Sequence, residues 1–257
     1  MRFVLGMDGG GTKTLIAAAS LDGREGREAR VGGSSLARRS AAEVTEELAR
    51  GCGLARGEWA AEDCVAVCGG FASAERHQGV YEAALRGILP RARVRVITDA
   101  ELAWRAANGG GDGIAIISGT GSIACGGYQG RQARAGGLGP GRDPGSGDWI
   151  GREAVATGIV AEPADGQFPA LLPRLLTEHE SAVRPILRRA AEELAATLRE
   201  CAAALAWSEP VGYFSGGVFT AVPELRGWVE AAWGHPLRAP QYTPVEAALA
   251  MAREAAG

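Results

Sequence analysis

The sequence has few of the features that would place a chain outside the ordinary globular proteins. Its five cysteines are an odd number without paired CxxC spacing, which argues against a disulfide framework or a zinc site and favours buried free thiols. His77, His179 and His235 lie apart and lack metal-ligand spacing, so we expect them at surface or capping positions. Lysine and arginine number 27 against 30 acidic residues, so no basic field indicates a nucleic-acid partner.

Long apolar runs are also missing from the chain. No stretch approaches the roughly 18 residues of a membrane helix. The opening residues 1–6 are too short, and too soon followed by Asp8, to form a signal peptide. We therefore expect a cytoplasmic protein with no membrane partner. With 257 residues, 46% of them hydrophobic, the chain can build one large domain or two modest ones.

The most informative segment is a glycine-rich turn between two apolar runs, at residues 4–17. Its central residues are Asp8, Gly9, Gly10, Gly11, Thr12, Lys13 and Thr14. Glycines let backbone N–H groups approach an anion, threonine hydroxyls add donors, and a carboxylate can hold a divalent cation through water. The pattern predicts a hairpin that binds a nucleoside triphosphate with Mg²⁺. The alternative is a glycine-rich hairpin turn without a ligand.

The spacing of this turn differs from that of two better-known phosphate loops. A P-loop has lysine directly after the second glycine of GxxxxG, but counting from Gly6 places Thr12 there and Lys13 one residue later. A second strand, and not a helix, is predicted to follow. The three adjacent glycines also cannot form the GxGxxG of a dinucleotide site.

A second segment, at residues 113–126, repeats the design. Its turn consists of Ser118, Gly119, Thr120, Gly121 and Ser122. The turn also matches the GxGxxA of a dinucleotide site, but the following residues 125–128 cannot open a helix, which argues against a dehydrogenase. Each copy is followed by a further turn and an arginine, Arg24 in one and Arg131 in the other. The sequence therefore predicts an internal duplication.

Signals for helices and strands alternate after each hairpin. In the first half, Ser40 and Glu43 form a capping box for a helix that ends near Gly51–Gly53. The other elements predicted there are strands at 64–68 and 93–97 and helices at 74–85 and 99–107. In the second half we predict helices at 148–158, 182–207 and 245–255, a strand at 211–214, a helix opened by Pro223, and a loop or linker at 162–173.

Three strands followed by alternating helices and strands form one half of a ribonuclease H-like fold. We therefore predict an α/β protein in which this unit is duplicated, as in the actin-like ATPase fold, with two lobes around a nucleotide cleft. The first lobe is predicted at 1–109, with the last helix, about 244–257, packing back on it. The second lobe is predicted at 110–257 and carries the adenine site.

Five motifs in order give the chain a resemblance to a known family over nearly its whole length. They are DGGGTKT at 8–14, TDA at 98–100, SGTGS at 118–122, RAGGLGPGRDPGSGDWIG at 134–151 and SGGVF at 215–219. The chain resembles the N-acetylglucosamine kinase-like branch of the sugar kinase, heat-shock protein and actin superfamily, which also contains the ATPase subunits of benzoyl-CoA reductases. The resemblance implies ATP and Mg²⁺ as cofactors, a small sugar substrate and a homodimer.

The resemblance also implies roles for individual residues. The two hairpins would hold the ATP phosphates from opposite sides of a cleft, through Gly10, Gly11, Thr12, Lys13, Gly119, Thr120, Gly121 and Ser122. Asp8 would lie near Mg²⁺, and Gly216 and Gly217 would let adenosine approach the backbone. Asp99 would act as the general base on the acceptor hydroxyl. An alternative for Asp99 is a plain first-turn acid, because Thr98 and Glu101 around it spell a capping box.

Gly137, Leu138 and Asp143 match positions that hold the sugar in this family. The chain departs from the family pattern in having Leu138 in place of tryptophan and Pro144 in place of glutamate. The segment 32–36 has no match for the sugar-binding asparagine. A sugar or amino-sugar kinase is the function that these residues favour.

Two other functions stay open at this stage. One is an ATPase that activates a reductase or dehydratase, which would need a cysteine-containing NDKCAAGTG-like motif that the sequence lacks. The other is a nucleotide- or sugar-binding module without turnover. A DNA-binding repressor is not expected, because no helix-turn-helix precedes Met1.

Overall fold

The computed structural model describes residues 1–139 and 141–257 and divides the chain into two compact units. Unit 1 comprises Met1–Gly109 and Tyr242–Gly257, and unit 2 comprises Gly110–Gln241. Each unit contains a five-stranded mixed sheet with helices packed against it. Among the described residues, no helix combines the length and apolar character needed to cross a membrane.

Unit 1 opens with three antiparallel strands, β1 (Phe3–Gly9), β2 (Lys13–Ser20) and β3 (Gly26–Gly32). Its next elements are α1 (Ala41–Arg56), β4 (Cys64–Phe71), α2 (Ala74–Ile88), β5 (Arg93–Thr98) and α3 (Asp99–Asn108). The sheet has the order β3-β2-β1-β4-β5, with β4 parallel to both β1 and β5.

Unit 2 opens in the same way, with β6 (Gly113–Ser118), β7 (Ser122–Tyr128) and β8 (Arg131–Gly136). Its next elements are α4 (Gly147–Ala156), α5 (Leu172–Glu178), α6 (Glu180–Leu205), β9 (Gly212–Ser215), α7 (Gly217–Ala221), α8 (Leu225–Trp233) and β10 (Leu237–Arg238). The last helix of the chain, α9 (Pro244–Ala256), belongs to unit 1.

The two sheets have the same strand order. Unit 1 runs β3-β2-β1-β4-β5, and unit 2, read from its own third strand, runs β8-β7-β6-β9-β10. In both, a hairpin and a third antiparallel strand precede strands that extend the sheet in parallel from the first strand. The duplicated α/β fold predicted from the sequence is confirmed.

The central strand β1 is buried on both faces. Phe3, Leu5 and Met7 alternate onto one face and pack in a cluster with residues of α1 and α2, whereas Val4 packs on the other face with residues of α3 and α9. A continuous apolar strand suits a position inside a sheet that helices cover on both sides. Gly6 lies on the same face as Val4, and a Cβ on Gly6 would stand 2.5 Å from the backbone nitrogen of Leu249 in α9.

The core of unit 2 forms around the long helix α6. Its fully buried side chains recur at the helical spacing predicted from the sequence and include Val183, Leu194, Leu198, Cys201 and Leu205. They pack in one cluster with residues of β6 and of the helices α4, α5 and α8. This packing fixes the sheet of unit 2 and, with it, the turn that follows β6.

Several boundaries differ from the sequence-based predictions. The helix α1 continues past its predicted end at Gly51–Gly53 to Arg56. Gly51 serves packing and does not end the helix, since a Cβ there would stand 2.4 Å from the side chain of Ile16. The predicted loop at 162–173 contains the 3₁₀ turn Phe168–Leu171 and the start of α5. The short elements α7 and β10 were missed, because two to five residues carry too little periodicity to be recognised.

The cysteines are free thiols, as the sequence predicts. Cys52, Cys64, Cys68 and Cys201 are buried, and burial raises the pKa of each to about 12. Thiols with such pKa values remain protonated at neutral pH and pack as small apolar side chains.

We predict that Gly6→Ala destabilises the protein, because the new methyl group would overlap the backbone of α9. Overpacking of this kind costs on the order of 2 kcal/mol or more in the free energy of unfolding. The control is Gly53→Ala in α1, where no atom lies within 4 Å of the new Cβ. That change should be neutral or stabilising by about 0.5 to 1 kcal/mol, as for Gly to Ala in a helix. Urea unfolding of both variants tests this, and equal midpoints would contradict it.

Candidate active site

The glycine-rich turn of unit 1 joins β1 to β2. The N–H of Gly10 donates to the carbonyl of Lys13 (2.9 Å), and Thr12 and Lys13 are exposed. Thr14 lies inside the protein, and its hydroxyl donates to Ser34 Oγ (2.9 Å). The prediction that Thr14 adds a donor for phosphate is therefore wrong. Because β2 begins at Lys13 and its side chains alternate, Thr14 turns to the interior.

The three glycines of this turn differ in how much space the protein leaves for a side chain. A Cβ on Gly9 would stand 2.2 Å from the Phe71 ring, so packing alone requires glycine there. A Cβ on Gly10 or Gly11 would meet no protein atom closer than 3.3 Å, and neither residue has a positive φ. The fold does not require glycine at Gly11, whereas a Cβ on Gly10 would crowd the carbonyl oxygen of Lys13. The missing side chains leave the backbone open to a ligand.

Two carboxylates stand at the same edge of the unit 1 sheet. Asp8 is the penultimate residue of β1, and Asp99 directly follows β5, two strands away in the sheet. Burial and, to a smaller extent, the negative charge of Asp99 raise the pKa of Asp8, the charge of Lys13 lowers it, and the resulting pKa is about 6. Burial also raises the pKa of Asp99, against the hydrogen bond that its Oδ1 accepts from the N–H of Ala100 (2.9 Å). The two acids are therefore electrostatically coupled.

The N-terminus of α3 is capped by Thr98, the residue before Asp99. Thr98 Oγ1 accepts the N–H of Glu101 at 3.1 Å. The Glu101 carboxylate lies near Arg95 (3.8 Å) and Arg105 (3.5 Å). Helix capping explains Thr98, whereas Asp99, in the first turn of α3, is half-buried and accepts the N–H of the next residue, Ala100.

The loop after β3, which the sequence aligns with a sugar-binding segment, is held by a buried tyrosine. The Tyr81 hydroxyl donates to the carbonyl of Ser34 (2.7 Å) and accepts the N–H of Leu36 (3.2 Å). Its ring stacks on Phe71 with centroids 4.2 Å apart. The N–H of Ser34 donates to the carbonyl of Gly10 (3.0 Å), which ties the loop to the glycine turn. Sequence reasoning missed Tyr81, because nothing in its local pattern distinguishes it from a core aromatic residue.

In unit 2, serine hydroxyls anchor the turn between β6 and β7. Ser118 Oγ donates to the carbonyl of Gly145 (2.7 Å), and Ser122 Oγ donates to the carbonyl of Pro144 (2.6 Å). Both serines are buried, and the hydroxyl of Ser122 holds the neighbouring loop. Thr120 is exposed, and a Cβ on Gly119 would have no atom within 4 Å.

Asp143 holds its own loop against this turn. Its Oδ1 accepts the N–H groups of Leu138 (2.5 Å) and Gly139 (3.1 Å), and its Oδ2 lies 2.7 Å from where a Cβ on Gly121 would stand. Burial raises the pKa of Asp143, while these hydrogen bonds lower it. Gly137 has a φ of +68° and packs on Ile123, so its backbone requires glycine. Of the three predicted sugar-site residues, Leu138 presents its side chain to solvent, with 55% exposed.

The two glycines predicted at the adenosine site differ from each other. Gly216 has a φ of +107°, and its Cβ would stand 2.3 Å from the carbonyl oxygen of Ser118. The junction of β9 and β6 therefore requires glycine there. Gly217 begins α7, and no atom lies within 4 Å of the position of a Cβ. The backbone at Gly217 is open to a neighbouring group.

We predict that Asp8→Asn stabilises the protein at pH 8 in the absence of nucleotide and Mg²⁺. The pKa of Asp8 is raised in the folded state, so stability present below pH 3.8 is lost as the pH rises through about 6. The variant cannot ionise and keeps that stability. The expected gain is on the order of 1 to 2 kcal/mol after solvent screening, most of which disappears at pH 4.

Urea unfolding at the two pH values measures this difference. Asp22→Asn is the matched control, because hydrogen bonds from Ser20 and Arg24 lower the pKa of Asp22. That change should not stabilise the protein at pH 8. A wild-type protein as stable as Asp8→Asn at pH 8 would contradict the buried ionised state of Asp8.

Comparison with known proteins adds independent information, although no family model matches the chain. Over 199 residues, 73% of this chain and 65% of the relative, the sequence is 33% identical to an N-acetylmuramic acid/N-acetylglucosamine kinase of Clostridium acetobutylicum. The alignment thus spans slightly less than two thirds of that curated relative.

Solved structures agree with the sequence comparison. A candidate N-acetylglucosamine kinase of Chromobacterium violaceum matches with a TM-score of 0.80 and 25% identity, over 98% of this chain and 99% of that chain. A ROK family glucokinase of Streptomyces griseus, in complex with glucose and AMPPNP, shares the fold with a TM-score of 0.68 and 18% identity, over 98% of this chain and 99% of that chain. The chain thus has the fold of these sugar kinases and is similar in sequence to an N-acetylmuramic acid/N-acetylglucosamine kinase.

Proposed function

We propose that the protein is an ATP-dependent kinase that transfers the γ-phosphoryl group to a hydroxyl of a sugar or amino sugar. The observation that carries the proposal is the coupled pair of carboxylates, Asp8 and Asp99, at the sheet edge where the open glycine turn begins. A base and a cation-holding acid beside a phosphate-binding backbone are the parts that phosphoryl transfer requires. The similarity to an N-acetylmuramic acid/N-acetylglucosamine kinase supports this assignment.

The open glycines support ATP as the phosphoryl donor. Gly11, Gly119 and Gly217 each lack a positive φ, and a Cβ on any of them would meet no protein atom closer than 3.6 Å. Backbone N–H groups at such turns can bind phosphate or allow a flat base to approach. The AMPPNP in the glucokinase of the same fold is a further argument for this nucleotide.

The residues of unit 1 fit a magnesium ion. Among the described residues no three histidine, cysteine or acidic side chains cluster into a complete metal site. Mg²⁺ typically takes one or two carboxylates and completes its shell with phosphate oxygens and water. Asp8, with a pKa of about 6, is mostly ionised at pH 7 to 8 and would hold the ion. Bound Mg²⁺ offsets the charge of the phosphates.

Asp99 is proposed as the general base. Its carboxylate accepts the proton of the acceptor hydroxyl while that oxygen bonds to the γ-phosphorus and the bond to the bridging oxygen of ADP breaks. Burial raises the pKa of Asp99, which makes it a stronger base. The exposed Lys13 at the same turn adds a positive charge for the phosphates. The proton on Asp99 passes to water after the products leave.

The acceptor is proposed to be an amino sugar of the N-acetylglucosamine type, as in the curated relative. The exposed side chain of Leu138 can pack on the apolar face of a sugar ring. The buried thiols of Cys52, Cys64, Cys68 and Cys201 do not suit the thiolate ligands of an iron–sulfur cluster, which disfavours a reductase activator. The homodimer and the cytoplasmic location stay predictions.

A screen of acceptors tests the proposed function directly. We expect ADP release with Mg²⁺-ATP in the presence of N-acetylglucosamine or N-acetylmuramic acid, and Asp99→Asn should lower turnover by at least about 10²-fold, as expected for lost base catalysis. ATP binding by the variant should stay near the wild-type value.

The control for this experiment is Glu101→Gln, two residues along the same helix. Glu101 pairs with Arg95 and Arg105, and its loss should change turnover less than about threefold, because its role is in surface ion pairs. Turnover of Asp99→Asn equal to that of the wild type would assign Asp99 a structural role. Absence of ADP release with every sugar would contradict the kinase.

We also predict that Gly11→Ala and Gly119→Ala fold normally but bind ATP at least about 10-fold more weakly. The new methyl groups would meet no protein atom closer than 3.6 Å, so they fit the fold, but they would occupy the path of the phosphates. Gly87→Ala, at an open helical position in α2, is the control and should bind ATP normally. Melting curves and ATP titrations measure both properties. Unchanged ATP affinity in the two turn variants would argue for a hairpin turn without a ligand.

A further inference from the structure

An arginine that the sequence motifs do not include lies against the glycine turn of unit 1. The Cδ and Nε atoms of Arg38 are both 3.6 Å from the position that a Cβ on Gly11 would take, and its Cζ is at 3.8 Å. The residue is exposed, so its guanidinium stands at the turn without being buried by the core. Its donors are therefore close to the backbone that is proposed to bind phosphate.

The position of Arg38 is fixed by the loop that carries it. A Cβ on Gly33 would stand 2.1 Å from the carbonyl oxygen of Gly11, so the loop and the turn are in direct backbone contact. The N–H of Ser34 donates to the carbonyl of Gly10 (3.0 Å), and the N–H of Arg38 donates to the carbonyl of Ser35 (3.0 Å). The turn that presents Arg38 is thus attached to the hairpin by local hydrogen bonds.

The neighbouring arginine has a different environment. Arg39 pairs with Glu47 at 3.8 Å, and Glu47 also pairs with Arg50 (2.6 Å) and accepts the N–H of Gly32 (3.0 Å). Within residues 1–139 and 141–257, no carboxylate lies within ion-pair distance of Arg38. Glu47 therefore neutralises Arg39, whereas the side chain of Arg38 lies against the glycine turn.

We propose that Arg38 binds the polyphosphate of the nucleotide at the turn of unit 1. Its planar guanidinium can form two parallel, charge-assisted hydrogen bonds with phosphate oxygens. A lysine at this position would supply the same charge without this paired geometry. It adds a second cation to Lys13 at a site that also contains the negative charges of Asp8 and Asp99. The inference rests on the proposed function, because it takes the nucleotide to bind at this hairpin.

Binding of Mg²⁺-ATP and of inorganic tripolyphosphate, measured by calorimetry, tests the proposal. Arg38→Ala should weaken the affinity for both probes by about 10- to 100-fold, the range of one lost charge-assisted contact. Arg38→Lys should fall between Arg38→Ala and the wild type. Arg39→Ala is the matched control and should change both affinities by less than about twofold. All variants should keep the wild-type melting temperature, because both side chains lie outside the core.

The outcomes separate this inference from the proposed function. Wild-type affinity for both probes in Arg38→Ala overturns the role of Arg38, whether or not the protein turns over. Equal losses in Arg38→Ala and Arg39→Ala also overturn it, because they indicate a general effect of charge. If the wild type binds ATP and releases no ADP with any sugar, the kinase assignment fails while the binding comparison still decides the role of Arg38. A wild type that binds neither probe overturns the inference.

Discussion

The parallel pairing of β1 with β4, and of β4 with β5, is the constraint on which the candidate site of unit 1 depends. Parallel strands end at the same edge of a sheet, so Asp8, near the end of β1, and Asp99, directly after β5, lie at one edge although they are about ninety positions apart. The pairing brings Asp8 and Asp99 close enough to interact electrostatically. It depends in turn on burial of β1 between two layers of helices, where Gly6 allows α9 to approach its backbone.

Glycine serves two purposes in this chain, and the structure separates them. At Gly9, Gly33 and Gly216 a side chain would overlap the protein itself, so the fold requires glycine. At Gly11 and Gly119 a Cβ would meet no protein atom closer than 3.6 Å and the backbone has no positive φ. Glycine without a structural reason lowers stability through chain entropy. Its presence in both hairpin turns is what the proposed binding of nucleotide phosphates to the backbone would require.

Acidic and basic side chains both lie near the glycine turn of unit 1. Burial raises the pKa values of two coupled acids, Asp8 and Asp99, and the exposed cations Lys13 and Arg38 lie at the glycine turn that follows Asp8. Ionised carboxylates this close together cost folding free energy. A cation and a polyphosphate bound between them would offset that cost, which is a physical reason for the site to be retained in a marginally stable protein.

The sequence by itself determined the duplicated fold, the two hairpins and the capping of helices such as α1. These features depend on periodicity, turn residues and reciprocal hydrogen bonds between neighbours in the chain, such as Ser40 and Glu43. Only the tertiary structure decided that Thr14 is buried, that Tyr81 holds the carbonyl of Ser34, and that Arg38 lies beside Gly11. Such contacts join residues up to 47 positions apart, and no local pattern encodes which of them meet when the sheet and its helices pack.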